Sequence, residues 1–197
     1  MKSRIKYIRA ASSLLVILLV STPALAIKFD VWRTGMTLSE IAEAAKANNI
    51  PITRSGVISR ESGFNQRFIN EYFWKASTVG YVTKLFGVDS TVSMKISPDR
   101  PRRLYEIEIL LTGRMDKKRL YPELINMLIE KYGPPSKPKR ALTKVYQWNL
   151  NDTDQITLKL FSAPVLTYTD VSYKKAVEAL NGSKHQKETI KKDSDKF

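Results

Sequence analysis

The amino-acid sequence predicts an α+β fold: an antiparallel sheet with helices packed on it, after a cleaved N-terminal leader. Three observations predict it. A helix is punctuated at both ends between residues 37 and 50, the hydrophobic period changes from 3.6 to two after residue 80, and the order of a helix followed by three strands recurs in the second half. Two α-βββ units, 27–113 and 114–182, are therefore expected within one globular domain, followed by a disordered polar tail over 183–197. No residue-level repeat accompanies this architectural one.

The leader comes first. Lys2, Arg4, Lys6 and Arg9 form a positive n-region, Ala10 to Val20 is apolar, and Pro23-Ala24-Leu25-Ala26 ends in the small-x-small pattern read by signal peptidase. The expected cut lies between Ala26 and Ile27, giving a periplasmic protein, with secretion or an uncleaved inner-membrane anchor as alternatives. No cysteine follows the cut to carry a lipid, and no later segment approaches the ~18 apolar residues that span a bilayer.

Phe29 to Trp32 reads as a short strand. Thr37-Leu38-Ser39-Glu40 is a capping box, in which the Thr oxygen takes an orphan amide while Glu40 reaches back. Leu38, Ile41, Ala42 and Ala45 then form one apolar stripe, stopped by Asn48-Asn49 and Ile50-Pro51. Residues 52–72 are polar and irregular, with one helical turn expected around Gln66 to Tyr72. Three strands follow: Tyr81 to Phe86, Thr91 to Ile96, and Leu104 to Leu111. In the last, Tyr105, Ile107, Ile109 and Leu111 alternate with Glu106 and Glu108. A helix from Leu120 or Pro122 to Tyr132 ends at Gly133-Pro134-Pro135. Lys144 to Leu150, Gln155 to Phe161 and Val165 to Thr169 are the second set of strands, and Asp170 caps a short helix that should end at Asn181-Gly182.

Two of these fragments carry a resemblance. Gly35-Met36-Thr37-x-x-Glu40 opening a helix, and Lys131-Tyr132-Gly133-x-Pro135 closing one before a strand with Trp148, resemble the SmpA/OmlA (BamE-like) outer-membrane assembly lipoproteins and the β-lactamase-inhibitor-like fold. The resemblance covers two short stretches and lacks the lipid-bearing cysteine of the lipoproteins. It implies a non-catalytic envelope module of related architecture and carries over no functional residue.

Composition narrows the chemistry. Of 197 residues none is cysteine and one is histidine, His185, which removes thiolate catalysis, sulfur-bound metals and most imidazole chemistry; no cofactor is expected. The formal charge is +14, and the 171 residues after the cut keep 29 basic against 19 acidic ones, a net +10. The excess is concentrated between Lys95 and Lys144, where 13 basic residues face six acidic ones. Arg100, Arg102 and Arg103 are expected on a hairpin turn, Lys117, Lys118 and Arg119 on the next loop, and Lys137, Lys139 and Arg140 on the one after. Such cations suit an anionic partner: a lipid head group with peripheral membrane contact, a wall polymer, or an acidic envelope protein. The competing use is solvated charge on loops, and a turn and the loop at the far end of its second strand should lie at opposite ends of a sheet. Nucleic acid fits poorly, because Tyr105, Tyr121, Tyr132 and Tyr146 are better used in packing than in base stacking.

The best enzymatic constellation is Glu106 with Glu108, about 7 Å apart on one strand face, a spacing from which two carboxylates could serve a wall or sugar hydrolase. The competing use is an exposed strand face with Lys95 or Ser93 opposite. Ser136-x-x-Lys139 and Ser172-x-x-Lys175 lack the companion motifs of serine–lysine nucleophiles, and Asp152 with Asp154 reads as a turn, not a calcium loop. Trp32, Trp148, Phe29, Phe73 and Phe86 are assigned to the core. Trp74 is the candidate for an exposed contact residue, beside Tyr72. The expected function is thus a non-enzymatic binding or scaffold protein of the cell envelope.

Overall fold

The computed structural model describes residues 27–54, 56–114, 116–136 and 144–194, with side chains described as far as 182. A two-residue hairpin opens the described chain: β1 (Lys28–Phe29) and β2 (Trp32–Arg33) pair across Asp30-Val31. Helix α1 (Leu38–Ala47) follows, and both halves of the predicted capping box form: Glu40 N–H donates to Thr37 Oγ1 at 3.3 Å, and Thr37 N–H to Glu40 Oε2 at 2.7 Å. Its apolar stripe is buried as expected through Leu38, Ile41 and Ala45.

Residues 52–75 hold a 3-10 turn at Arg60–Ser62, helix α2 (Gln66–Glu71) where a helical turn is expected, and a second 3-10 turn at Phe73–Lys75. Thr53 and Gly80 exchange two backbone hydrogen bonds, and Val82 N–H donates to Ile58, so this segment pairs along the outer edge of the next strand. An edge strand that would otherwise present bare amides and carbonyls is thereby covered.

The main sheet has six antiparallel strands: β3 (Thr78–Leu85), β4 (Val88–Ile96), β5 (Leu104–Leu111), β6 (Lys144–Asn149), β7 (Asp154–Leu160) and β8 (Val165–Asp170). Their spatial order is β3-β4-β5-β8-β7-β6, so two three-stranded meanders meet at their last strands. The two expected α-βββ units are both present, joined through β5 and β8 into one sheet. Period-two alternation sorts the side chains by face. Val92, Ile109, Leu166 and Leu158 lie in register on the core face with Tyr146; Ser93, Glu108, Thr167, Thr157 and Gln147 form the adjacent ladder on the other. Between these alternating ladders lies the separation of core from water.

Besides the N-terminal hairpin, which turns at Asp30-Val31 where a single strand from Phe29 to Trp32 is expected, four features differ from the sequence reading. First, a bulge in the β4–β5 pair sets Ile96 opposite Leu104 and Lys95 opposite Glu106; Tyr105 is left without a partner, and Leu104 takes the core position expected for it. Second, Phe86, assigned to the core, is 47% exposed, because Phe86 and Gly87 make the two-residue β3–β4 turn with φ of 53° and 73°. Third, helix α3 (Lys117–Tyr132) begins before Pro122: Asp116 accepts from Lys118 N–H as N-cap, and the missing proline N–H leaves a single carbonyl, that of Lys118, without its helical donor. Fourth, helix α4 (Val171–Ser194) does not stop at Asn181-Gly182; its backbone stays helical to Ser194, over most of the tail expected to be disordered. Gly182 keeps a negative φ and so never forms the left-handed cap, and the Lys, Gln and Glu residues beyond it are good helix formers.

The core face is covered by α1, α3 and the N-terminal hairpin. Leu120, Leu124 and Leu128 of α3 are buried, and Gly133, with φ of 78°, ends that helix while its carbonyl accepts from Trp148 Nε1 at 2.8 Å. Trp32 and Trp148 are buried as assigned; Trp32 Nε1 donates to the Tyr81 hydroxyl at 2.9 Å, and burial pushes that phenol up to about 12. No helix among the described residues is long and apolar enough to cross a membrane. The leader, residues 1–26, lies outside the described residues, and Ile27, the first residue after the expected cut, is buried in the core.

Candidate docking surface

The strongest cluster of exposed chemistry lies at the end of the sheet where β4 turns into β5. Helix α2 and the 3-10 turn after it place Tyr72, Phe73 and Trp74 in succession. Phe73 is fully buried and meets Trp74 edge-on at 5.3 Å, whereas Tyr72 is 54% and Trp74 47% exposed. Tyr72 in turn stacks on Phe68, which is buried. The core therefore grips the cluster from beneath while two large aromatic faces meet water. Arg54, Glu71 and Lys75 border Tyr72 around a shallow depression of about 280 Å³.

The 97–103 turn is bolted to this cluster. Arg102 donates to three carbonyls, from Nη2 to Ala76 at 2.6 Å, from Nη1 to Trp74 at 2.7 Å and from Nε to Ser97 at 3.2 Å. Arg103 donates to Gly35 at 2.8 Å. Two of the three arginines expected to meet a partner are thus committed to the fold, and Arg100, exposed at the tip, is the one left to water. Lys117, Lys118 and Arg119 are exposed on the first turn of α3, not on a loop, and Arg119 pairs with Glu123 at 3.4 Å. They stand at the opposite end of β5, about 24 Å away along seven strand steps. The structure does not bring these two basic groups together. Lys137, Lys139 and Arg140 lie outside the described residues, as do Ser136-x-x-Lys139's lysine and the tail histidine's side chain.

The two carboxylates of β5 do face the same side, and their neighbours are those expected, Lys95 opposite Glu106 and Ser93 opposite Glu108. Glu106, however, is engaged by the fold. Glu106 is 2% exposed and each oxygen holds a lysine, Lys95 Nζ at 2.6 Å and Lys174 Nζ of α4 at 2.7 Å. Burial pushes its carboxyl up, but the hydrogen bonds from Lys174 and Lys95 and their charges outweigh burial and hold it below the usual range. A carboxyl held below its usual range and bound through each oxygen to a lysine is a poor proton donor at neutral pH and is committed to its lysine partners. Beside it a polar trough of about 410 Å³, floored by Thr157, Thr167, Thr169 and Gln155, lies open along the sheet. Asp152 and Asp154 form the turn expected of them: Asn151 Oδ1 accepts from Thr153 and Asp154 N–H. Ser172 is bound to the Asp170 cap through its hydroxyl at 2.6 Å, so Ser172-x-x-Lys175 is a helix start.

Sequence reasoning found Trp74 as a contact candidate, but not the clamp that holds it. That clamp joins residues 26 and 28 positions apart, a separation no local pattern reports. It also missed Lys174 as the second partner of Glu106. Comparison with known proteins adds nothing to the geometry: no protein-family model, no curated protein and no solved structure matches this chain.

Proposed function

We propose that this protein is an exported, non-enzymatic binding module of the cell envelope that docks on anionic, phosphate-bearing surfaces through the Tyr72–Trp74 end of its sheet. One observation carries the reading: two half-exposed aromatic rings are fixed from below by Phe68 and Phe73, Tyr72 shares a depression with Arg54, Lys75 and Glu71, and the Trp74 carbonyl is tied by Arg102 to the turn bearing Arg100. Amphipathic rings beside cations are the side chains that settle at a membrane–water interface, the rings among head groups and the cations on phosphate. The net charge of +10 after the expected cut draws the protein to such surfaces, and the resemblance to envelope modules points to the same compartment. The engaged oxygens of Glu106 weigh against a hydrolase.

Vesicle co-sedimentation tests this. Full-length protein should pellet with phosphatidylcholine vesicles containing phosphatidylglycerol and not with phosphatidylcholine alone, and the binding should weaken as salt rises. Tryptophan emission should shift to the blue on binding, and Trp74→Phe should abolish that shift; Arg100→Gln should weaken binding about fivefold and Arg100→Glu about thirtyfold, since one interfacial cation contributes about 1 kcal/mol and reversing it about twice that. Competition by soluble polyphosphate without vesicle binding would assign the same surface to a wall polymer. Capture of an envelope protein at moderate salt, with no vesicle binding, would replace the anionic surface by a protein partner.

A further inference from the structure

At the other end of the sheet, between α3, the β3–β4 turn and the N-terminal hairpin, a crevice of about 190 Å³ opens to solvent. Its floor is apolar: Leu124 and Leu128 of α3, Ile109, and Leu166 are all buried. Its rim is not. Lys28 and Lys131 stand at the mouth, and among the described residues neither has an ion-pair partner; Lys131 Nζ lies 5.1 Å from the centre of the Tyr132 ring. The acid at the rim, Asp30, is neutralised by Arg60 Nη1 at 2.6 Å. The third wall is Phe86, 47% exposed and held at φ 53°. A bulky side chain in the left-handed region is unusual, and in a two-residue turn of this type Asn, Asp or Gly is the favoured occupant. The turn therefore places an aromatic ring at the lip of the crevice in a conformation that turn chemistry alone does not select.

We infer that this crevice is a binding site for a small anionic amphiphile, a carboxylate with an apolar chain of about six to eight carbons. The size follows from volume, since an apolar cavity of about 150 Å³ holds a benzene ring. The sign follows from the rim, where two free lysines face one neutralised acid. The chain would lie on Leu124, Leu128 and Leu166 under the Phe86 ring, and the carboxylate would meet Lys28 and Lys131. The site is at the opposite end of the sheet from Trp74 and does not depend on the docking surface proposed above.

Octanoate is the probe, measured on the full chain by calorimetry and by protection against thermal unfolding. Saturable one-to-one binding is expected, with octylamine at least tenfold weaker because its charge has the same sign as the rim. Lys131→Glu should weaken octanoate about tenfold without changing the fold, as Lys131 is exposed. Phe86→Asn is the sharper variant: it should raise the unfolding temperature, because Asn accepts φ > 0, and yet weaken octanoate. No saturable binding, equal binding of octylamine, or affinity unchanged in both variants would overturn the assignment. So would displacement of octanoate by phosphatidylglycerol vesicles, which would make the crevice a slot for a membrane acyl chain.

Discussion

At the 97–103 end of the sheet, two arginines turn inward and bind four carbonyls between them, whereas at the 114–119 end three basic side chains stand in water on the first turn of α3. Both stretches read alike in sequence, as short basic runs beside a strand. The difference lies in what each end lacks. At the first end, segments 35–37 and 73–77 run past the turn with their carbonyls pointing at it, and a guanidinium fork can satisfy several at once. At the second, α3 starts on its own Asp116 cap, and among the described residues none of its three first-turn cations donates a side-chain hydrogen bond to a carbonyl. A basic run is thus a fastener or a free charge according to the backbone that passes it.

The largest effect should come from breaking the fastener. Arg102→Ala removes three hydrogen bonds from a charged donor and leaves the Ala76 carbonyl, partly buried, without one; we expect a loss of about 3 kcal/mol in urea unfolding, and faster proteolysis near Trp74. Arg102→Lys should recover less than half, since an ammonium cannot span three carbonyls in a plane. By contrast Arg119→Ala at the other end should cost no more than about 0.5 kcal/mol, because its pair with Glu123 is an exposed one. Equal losses at the two ends would remove the distinction.

The middle of the sheet supplies the next effect. Glu106→Gln leaves Lys95 and Lys174 facing an amide, at an expected cost of about 2 kcal/mol; both lysines are about 40% exposed and can turn to water, which keeps the loss below that of a fully buried pair. The same contact is pH dependent. The Glu106 carboxyl is held below its ordinary range, so its contribution is complete above the pKa of the unfolded chain and disappears as pH falls through the lowered folded value. The hydrogen bond and charge of Glu106 outweigh burial and raise Lys95, so its contribution is complete below the ordinary lysine range and disappears as pH rises through the raised value. Val177, buried on α4, reports the result: its methyl resonances should lose their dispersion in acid and in strong base, and in Glu106→Gln at neutral pH. Unchanged resonances in the variant would show that α4 does not depend on Glu106.

Much of this was legible from local pattern. The capping box at Thr37, the period-two alternation of β4 and of β5 from Ile107 onward, and the Gly133 stop are set by residues within a few positions of one another and formed as read; the bulge that displaces Tyr105 did not show in that pattern. What was not legible depends on distance or on cost. Gly80 belongs here: a Cβ at that position would come within 2.3 Å of the Val92 carbonyl, a close approach invisible in the strand's alternation. So does Phe86, which the turn geometry exposes although its hydrophobicity argues for the core. The candidate docking site was half legible. Trp74 followed an irregular segment and could be suspected of exposure, but its support by Phe73 and its link to Arg102 are tertiary. The continuation of α4 past Gly182 shows the opposite limit: a stop signal is a preference of about 1 kcal/mol, and a run of good helix formers on its far side outweighs it.

The smallest effect tests the free end by sign. Helix α3 has no acid in its first turn and carries Lys117, Lys118 and Arg119 there, against the partial positive charge of its own N-terminus. The Asp116 cap offsets part of this charge and Arg119 also pairs with Glu123, but among the described residues no acid pairs with Lys117, so its repulsion from the helix N-terminus is only partly offset. Lys117→Glu should therefore stabilise the protein, by about 0.5 kcal/mol at low ionic strength, and Lys117→Gln by about half of that. Raising the salt to 1 M should erase both gains, since the Debye length then falls to about 3 Å. The inward-facing arginines give the opposite result, because Arg102→Gln and Arg103→Gln destabilise at every salt concentration. A destabilising Lys117→Glu would mean that the first turn of α3 also carries a fastener, and that the two ends differ in degree only.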